Sequence, residues 1–138
     1  MKLSKETEYA LEGLALLATY SEGTVMLAAD LADAVGTSTG FMSKIMQRLG
    51  VAKIVRGHRG NPRGYSLARP AERVSVRDVV ESLEGDNIFE RCIFWSEQCS
   101  EVNSCPLHDV WKRVRPLVRS RLSGVNMRDL ARKKRKGR

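Results

Sequence analysis

The sequence, 138 residues long, predicts a mainly α-helical chain with one small β-hairpin and a long C-terminal helix. Three observations carry that reading. Apolar residues recur at helical spacing through the first fifty positions; the period then gives way to β-prone residues around a turn rich in Gly, Pro and Arg; and an apolar stripe recurs from Leu107 to Leu122. With 42% hydrophobic and 29% charged residues, the chain can bury one modest core, which leaves no room for a second, catalytic domain.

The first helix is expected from a Ser4 cap to about Tyr20, with Ala10, Leu11, Leu14, Leu17 and Ala18 inward. Glu6 and Glu8 fall in its first turn, where carboxylates complement the helix dipole. After a loop at Ser21 to Thr24, Met26 to Val35 forms a short amphipathic run, and Gly36-Thr37 separates it from a second. In that second run Ser38 caps a helix to Leu49, with Phe41, Met42, Ile45, Met46 and Leu49 on one stripe. Its other face is small, polar and basic: Thr39, Gly40, Ser43, Lys44 and Gln47. This is the arrangement of a helix-turn-helix, with a supporting helix and a reading helix; an ordinary packed pair of helices gives the same local pattern.

The next segment favours the DNA reading. Val51 to Val55 is β-prone, 56–64 is dense in turn residues and arginines, and Tyr65-Ser66-Leu67 alternates again, so a hairpin wing with a basic tip is expected. From Ala34 to Ala71 there is no acidic residue, while Lys44, Arg48, Lys53, Arg56, Arg59, Arg63 and Arg69 all lie there. Such a one-sign block suits phosphate contact and counterion release. The formal charge of +8 says less: the tail 132–138 holds six basic residues, without which 18 Lys and Arg face 16 Asp and Glu. That tail reads as disordered and solvated. Pro70 closes the wing, and Ser75 with Asp78 predicts a capping box for a helix burying Val76, Val79, Val80 and Leu83 and ending at Gly85.

Cys92, Cys99 and Cys105 then fall in one polar loop, with His108 one helical turn after the last; Pro106 is expected at the start of the following helix. Three thiols and an imidazole form a soft metal-ligand set suited to zinc, copper(I) or an iron–sulfur cluster. Buried structural thiols, a redox pair and a structural zinc site are the competing readings; the close C-x-x-C spacing that would favour the last two is missing. In the last helix Leu107, Val110, Trp111, Val114, Leu117, Val118 and Leu122 make a stripe larger than a small domain needs, which suggests a homodimer presenting two reading heads to palindromic double-stranded DNA. Pro116 interrupts that helix, and one short helical turn is expected at 126–131. The organisation expected is a DNA-binding domain over 1–85, a cysteine loop over 86–108, a dimer helix and short helix over 109–131, and the tail. No apolar run approaches membrane-spanning length and the start shows no apolar leader, so a cytoplasmic protein with no membrane partner is expected. His58, between arginines, suits a phosphate contact better than a catalytic dyad, and no enzyme is expected.

The chain resembles the Rrf-two-type family of winged-helix transcription regulators, which includes iron–sulfur and nitric-oxide sensors of the IscR and NsrR type. The likeness runs through Met1-Lys2-Leu3-Ser4, Tyr9-Ala10, Leu31-Ala32, Phe41-Met42, Leu49, Ile54-Val55, Arg59-Gly60, Gly64-Tyr65, Leu67-Ala68-Arg69 and the three cysteines. The resemblance implies a dimeric regulator, a repressor among its forms, whose promoter affinity follows the state of an iron–sulfur cluster. By match a 2Fe–2S cluster is favoured over 4Fe–4S, with zinc behind both, and the ligands are Cys92, Cys99, Cys105 and His108; in other branches an acidic residue at the position of Glu8 completes the site. It also implies that Ser38, Thr39, Gly40, Ser43, Lys44 and Gln47 meet the major groove, that Arg59 reaches the minor groove, and that Arg56 and Arg63 flank it on the wing. Three departures stand out: one more residue between Cys92 and Cys99 than in the IscR-like pattern, Arg63 where a second glycine is usual, and Ser43 in place of an acidic residue.

Overall fold

The computed structural model describes residues 3–92, 100–102 and 105–136, with side chains to 133. It contains helices α1 (Lys5–Ala18), α2 (Ala28–Val35) and α3 (Thr39–Val51), strands β1 (Val55–His58) and β2 (Gly64–Leu67), then α4 (Val76–Glu84), α5 (His108–Gly124) and α6 (Met127–Lys136). The mainly helical class with one antiparallel hairpin is as the sequence predicts. No helix among the described residues is long and apolar enough to cross a membrane.

Ser4 caps α1 through the Thr7 amide, and Ser38 caps α3 through the Phe41 amide at 3.1 Å. Gly36, at φ +89°, makes the left-handed turn between α2 and α3 that a β-carbon would strain. Met42, Ile45, Met46 and Leu49 are fully buried against Leu14 and Leu31 in one core. Phe41, expected on that stripe, is instead 39% exposed and meets Tyr9 edge to face at 5.9 Å. The strand expected from Val51 starts four residues later. Val51 closes α3, and the amides of Lys53 and Ile54 bond back to the carbonyls of Gly50 and Leu49, so these residues terminate the helix before β1 can begin.

β1 and β2 pair in the register Val55 with Leu67 through His58 with Gly64. A two-stranded hairpin of this length is marginal alone. Here Met26, just before α2, pairs with Tyr65 through two backbone bonds of 2.9 and 2.8 Å, tying the wing to the helix-turn-helix.

Ser75 and Asp78 form the capping box of α4, which buries Val76, Val79, Val80 and Leu83. The far end of α4 is a junction. The Glu84 carboxylate accepts bonds from the Ser4 amide (2.8 Å), the Ser4 hydroxyl (2.9 Å) and the Thr7 hydroxyl (2.6 Å) at the start of α1. The carbonyls of Leu83 and Glu84 accept from the guanidinium groups of Arg48 (2.9 Å) and Arg91 (2.7 Å), cations placed where the helix dipole is negative.

Burial pushes the Glu84 carboxyl up, but the hydrogen bonds from Ser4 and Thr7 outweigh it and hold the group below its ordinary value. The folded state therefore binds this proton more weakly than the unfolded chain. Its stabilisation is complete above about pH 4.5 and disappears as pH falls through the folded value. Glu84→Gln is expected to cost ~1 kcal/mol at neutral pH, discounted for partial exposure, and to flatten the acid limb of a stability–pH curve. Equal acid sensitivity in urea melts of both proteins would refute this.

The C-terminal part differs most from expectation. Pro106 and Leu107 form a turn, and α5 begins at His108, whose amide bonds to the Cys105 carbonyl at 2.9 Å. Trp111, expected on a dimer face, is only 6% exposed and donates its indole N–H to the Arg91 carbonyl at 2.9 Å; Val118 and Leu122 likewise pack on the chain's own core. After Gly124, Asn126 and Asp129 cap each other's amides at 3.0 and 2.9 Å and start α6. Met127 and Ala131 are buried against α1, and the helix is longer than the single turn expected, its backbone running to Lys136 into the basic segment; Gly137 and Arg138 lie outside the described residues. Arg128 fastens it, bonding to Glu72 at 3.0 Å and to the Ala18 carbonyl.

Candidate nucleic-acid interface and cysteine site

Because Met42, Ile45, Met46 and Leu49 turn inward, the opposite face of α3 is left to solvent. Ser38, Thr39, Gly40, Lys44 and Gln47 are exposed and Ser43 is half-buried. Thr39, Ser43 and Gln47 line one side of an open groove of 840 Å³; Arg59, Arg63 and His58 of the wing and the first turn of α2 line the rest. Ser38, Gly40, Lys44 and Arg56 lie outside that lining but on the same two elements.

The seven cations of the acid-free block divide into two groups. Arg48 pairs with Glu6 and grips the Leu83 carbonyl, and Arg69 lies 3.8 Å from Asp78, so both serve the scaffold. Glu6 therefore does more than complement a helix dipole. Lys44, Lys53, Arg56, Arg59 and Arg63 have no acidic partner among the described residues. Unpaired cations on a reading helix and a wing are free to neutralise phosphates. His58, read from sequence as a phosphate contact, lines the groove but shares a 2.8 Å hydrogen bond with Ser66, so its ring is fixed across the hairpin.

Arg59→Ala is expected to weaken DNA binding and to reduce the slope of log affinity against log salt by about 0.9, while leaving the unfolding free energy unchanged within ~0.5 kcal/mol. Titrations over a salt series check this. Arg48→Ala should show the reverse pattern, a loss of stability first.

The cysteine site sits between α4 and α5. Cys92 is buried, Cys105 half-buried, and their thiols share a hydrogen bond. Burial, then that bond, pushes the Cys105 thiol up, against the opposing pull of the Leu107 amide. Metal binding here must therefore displace protons. His108 is buried in the first turn of α5, with Nε2 3.2 Å from the Glu101 carboxylate, which also holds Lys112 at 2.8 Å. The hydrogen bond from Lys112, and then the nearby His108 imidazole, keep the Glu101 carboxyl below its ordinary value. Sequence reasoning missed Glu101, because no local spacing links it to His108. Ligation through Nε2 requires Glu101 to move aside.

Cys99 lies outside the described residues, and among those described no three His, Cys, Asp or Glu side chains converge on one point. The donor set nevertheless fits a soft metal or iron–sulfur group: two thiols already in contact, an imidazole on the adjoining helix turn, and a backbone amide directed at sulfur. Glu8, the other candidate ligand, is half-exposed and pairs with Lys5 at 3.1 Å.

A reading helix, its supporting helix and a basic hairpin around one groove define a winged helix-turn-helix, a DNA-binding class. Residues 3–133 match the Rrf2 family, described as an iron-dependent transcriptional regulator. A Mycobacterium tuberculosis protein named an HTH-type transcriptional regulator is 35% identical over 95% of this chain and 81% of its own length. The HTH-type transcriptional regulator IscR of Xenorhabdus nematophila is 28% identical over 94% of this chain and 79% of its length. Among solved structures, the oxidized form of Staphylococcus aureus CymR superposes with a TM-score of 0.73 at 28% identity, covering 95% of this chain and 96% of that one. The chain belongs to the Rrf2 family of transcriptional regulators, and the resemblance drawn from its motifs holds.

Proposed function

We propose that this regulator is a homodimer whose affinity for a palindromic operator is set by an iron–sulfur cluster at the cysteine site. The observation that carries the reading is the meeting of the Cys92 and Cys105 thiols beside His108, outside the DNA-binding groove. Cys92, Cys105 and His108, with Cys99 from the adjoining segment, would hold a 2Fe–2S cluster; Glu8 of a partner copy is the alternative fourth ligand. When bound, such a group supplies reversible electron transfer and sensitivity to oxidants or nitric oxide. The homodimer would form through Val110, Val114 and Leu117, which are 49%, 39% and 57% exposed on one face of α5. A cytoplasmic location goes with this role.

Arg91 gives the site a mechanical link to the DNA-reading helix. Its carbonyl is held by Trp111 of α5, its guanidinium bonds to the Glu84 carbonyl and to Asn87 Oδ1 (3.2 Å), and the next residue is Cys92. One residue earlier on α4, the Leu83 carbonyl is gripped by Arg48 of α3. A displacement of Cys92 thus acts on the end of α4 that α3 holds. Because operator half-sites have fixed spacing, a small rotation of two reading heads costs much affinity.

The same thiol contact favours a second reading, a cluster-free thiol switch. In it Cys92 and Cys105 form an S–S bond, giving up two protons and two electrons to hydrogen peroxide, whose O–O bond breaks to leave two waters. A visible absorption spectrum of anaerobically purified protein, with iron, sulfide and zinc assayed on the same sample, separates the readings. Charge-transfer bands with matched iron and sulfide are expected. Colourless protein that also resists reconstitution with iron and sulfide overturns the cluster, and zinc in it would make the site structural.

A further inference from the structure

A second groove, of 440 Å³, lies between the start of α4 and the middle of α5, away from both sites above. Arg77 of α4 and Arg115 and Arg119 of α5 line it, with buried Phe89, Pro116 and Ser123. From this we propose that the groove binds a small molecule carrying a phosphate or carboxylate on an apolar or aromatic body.

The charges in the groove are unbalanced. Arg77 is matched by Glu81 at 2.8 Å and bridges to Ser123 at 3.1 Å, which fixes its guanidinium between the two helices. Arg115 and Arg119 stand four residues apart on one helix face, a spacing at which like charges repel, and among the described residues Glu90 is the single acid that lines the groove. Arg115 is half-buried yet has no acidic partner among the described residues. Two guanidinium groups without acidic partners on one helix face repel each other, and an oxyanion between them would relieve that repulsion through bidentate hydrogen bonds.

The apolar component of the ligand follows from the wall. Phe89 is 1% exposed beneath Arg119, 6.0 Å from its guanidinium carbon to the ring centroid, so it places that cation and leaves Pro116 as the apolar surface open to a ligand. Pro116 forfeits a backbone donor in mid-helix and stands here as a rigid apolar surface in the groove wall. The volume lies within the range of small-molecule sites, about 300–1,000 Å³. Helical spacing puts Val110, Val114 and Leu117 on the far side of α5 from Arg119 and Ser123, so pairing of two copies through that apolar face leaves the groove open.

Calorimetric titration of the full chain with phenyl phosphate, benzoate and inorganic phosphate tests the proposal. Saturable binding of one aromatic probe per chain is expected, tighter than inorganic phosphate, and weakened about tenfold or more by Arg115→Gln with Arg119→Gln. Arg113→Gln, which removes the same charge elsewhere on α5, should leave it unchanged. Preference for phenyl phosphate or for benzoate identifies the headgroup. Absence of saturable heat with every probe overturns the proposal, as does equal weakening by Arg113→Gln. Loss of DNA affinity in the double variant with no probe bound by the parent also overturns it, making these arginines contacts to the DNA backbone.

Discussion

Gly64→Ala is expected to lose about 3–5 kcal/mol of stability and most sequence-specific DNA binding. Gly64 sits at φ +139°, and a β-carbon there would stand 2.1 Å from the Met26 carbonyl oxygen and 2.6 Å from its carbon. Neither atom can yield, because the same Met26 carbonyl accepts the Tyr65 amide that anchors the wing. The bridge must break or the hairpin must shift, and either moves Arg59 and Arg63 away from Thr39, Ser43 and Gln47 across the groove. For a chain of this size the melting temperature should fall by roughly 10–15 °C. Gly60→Ala in the same wing meets nothing within 4 Å and serves as the control, expected within ~0.5 kcal/mol of the parent. Matching melting curves for the two variants would show that the Met26–Tyr65 bridge is dispensable.

Cys105→Ala should remove the visible absorption, bring iron and sulfide per chain near zero, and leave one fixed DNA affinity whatever the redox treatment. Cys105 is half-buried, so the folding cost of the truncation itself is small, ~1 kcal/mol, and the variant remains testable as a DNA binder. Retention of cluster and response would defeat the assignment of this thiol. A parent protein that is colourless but loses its oxidant response in this variant would select the thiol switch.

Much of the reading head was legible because its signals are local. The Ser38 cap, the stripe Met42-Ile45-Met46-Leu49, the Ser75 and Asp78 box and the turn glycines each act within a few residues, and the structure places them where the sequence does. The errors came where distant partners decide. Phe41 has the right period but is partnered by Tyr9 at the surface, and Arg48 resembles its basic neighbours until Glu6 and the Leu83 carbonyl claim it. Trp111 looks like any other residue of the α5 stripe, and only the Arg91 carbonyl, twenty residues earlier, draws it inward. The basic end shows high polarity, which predicts a solvated tail; the sparse apolar set Met127, Leu130 and Ala131 has no meaning until α1 supplies the surface they cover. The same holds for the cysteine site, where the donor types are plain in sequence but Glu101 beside His108 is not.

The return of α6 onto α1 bears on how the protein unfolds. The carbonyls of Val74 and Val125 accept from the amides of Met127 and Val76, and Met127 fills the core under the first helix, so the layer that supports the reading head is closed from the far side of the cysteine loop. Reading helix, wing and α6 therefore share one core and should melt as one cooperative unit, and loosening α6 reaches the reading head through α1.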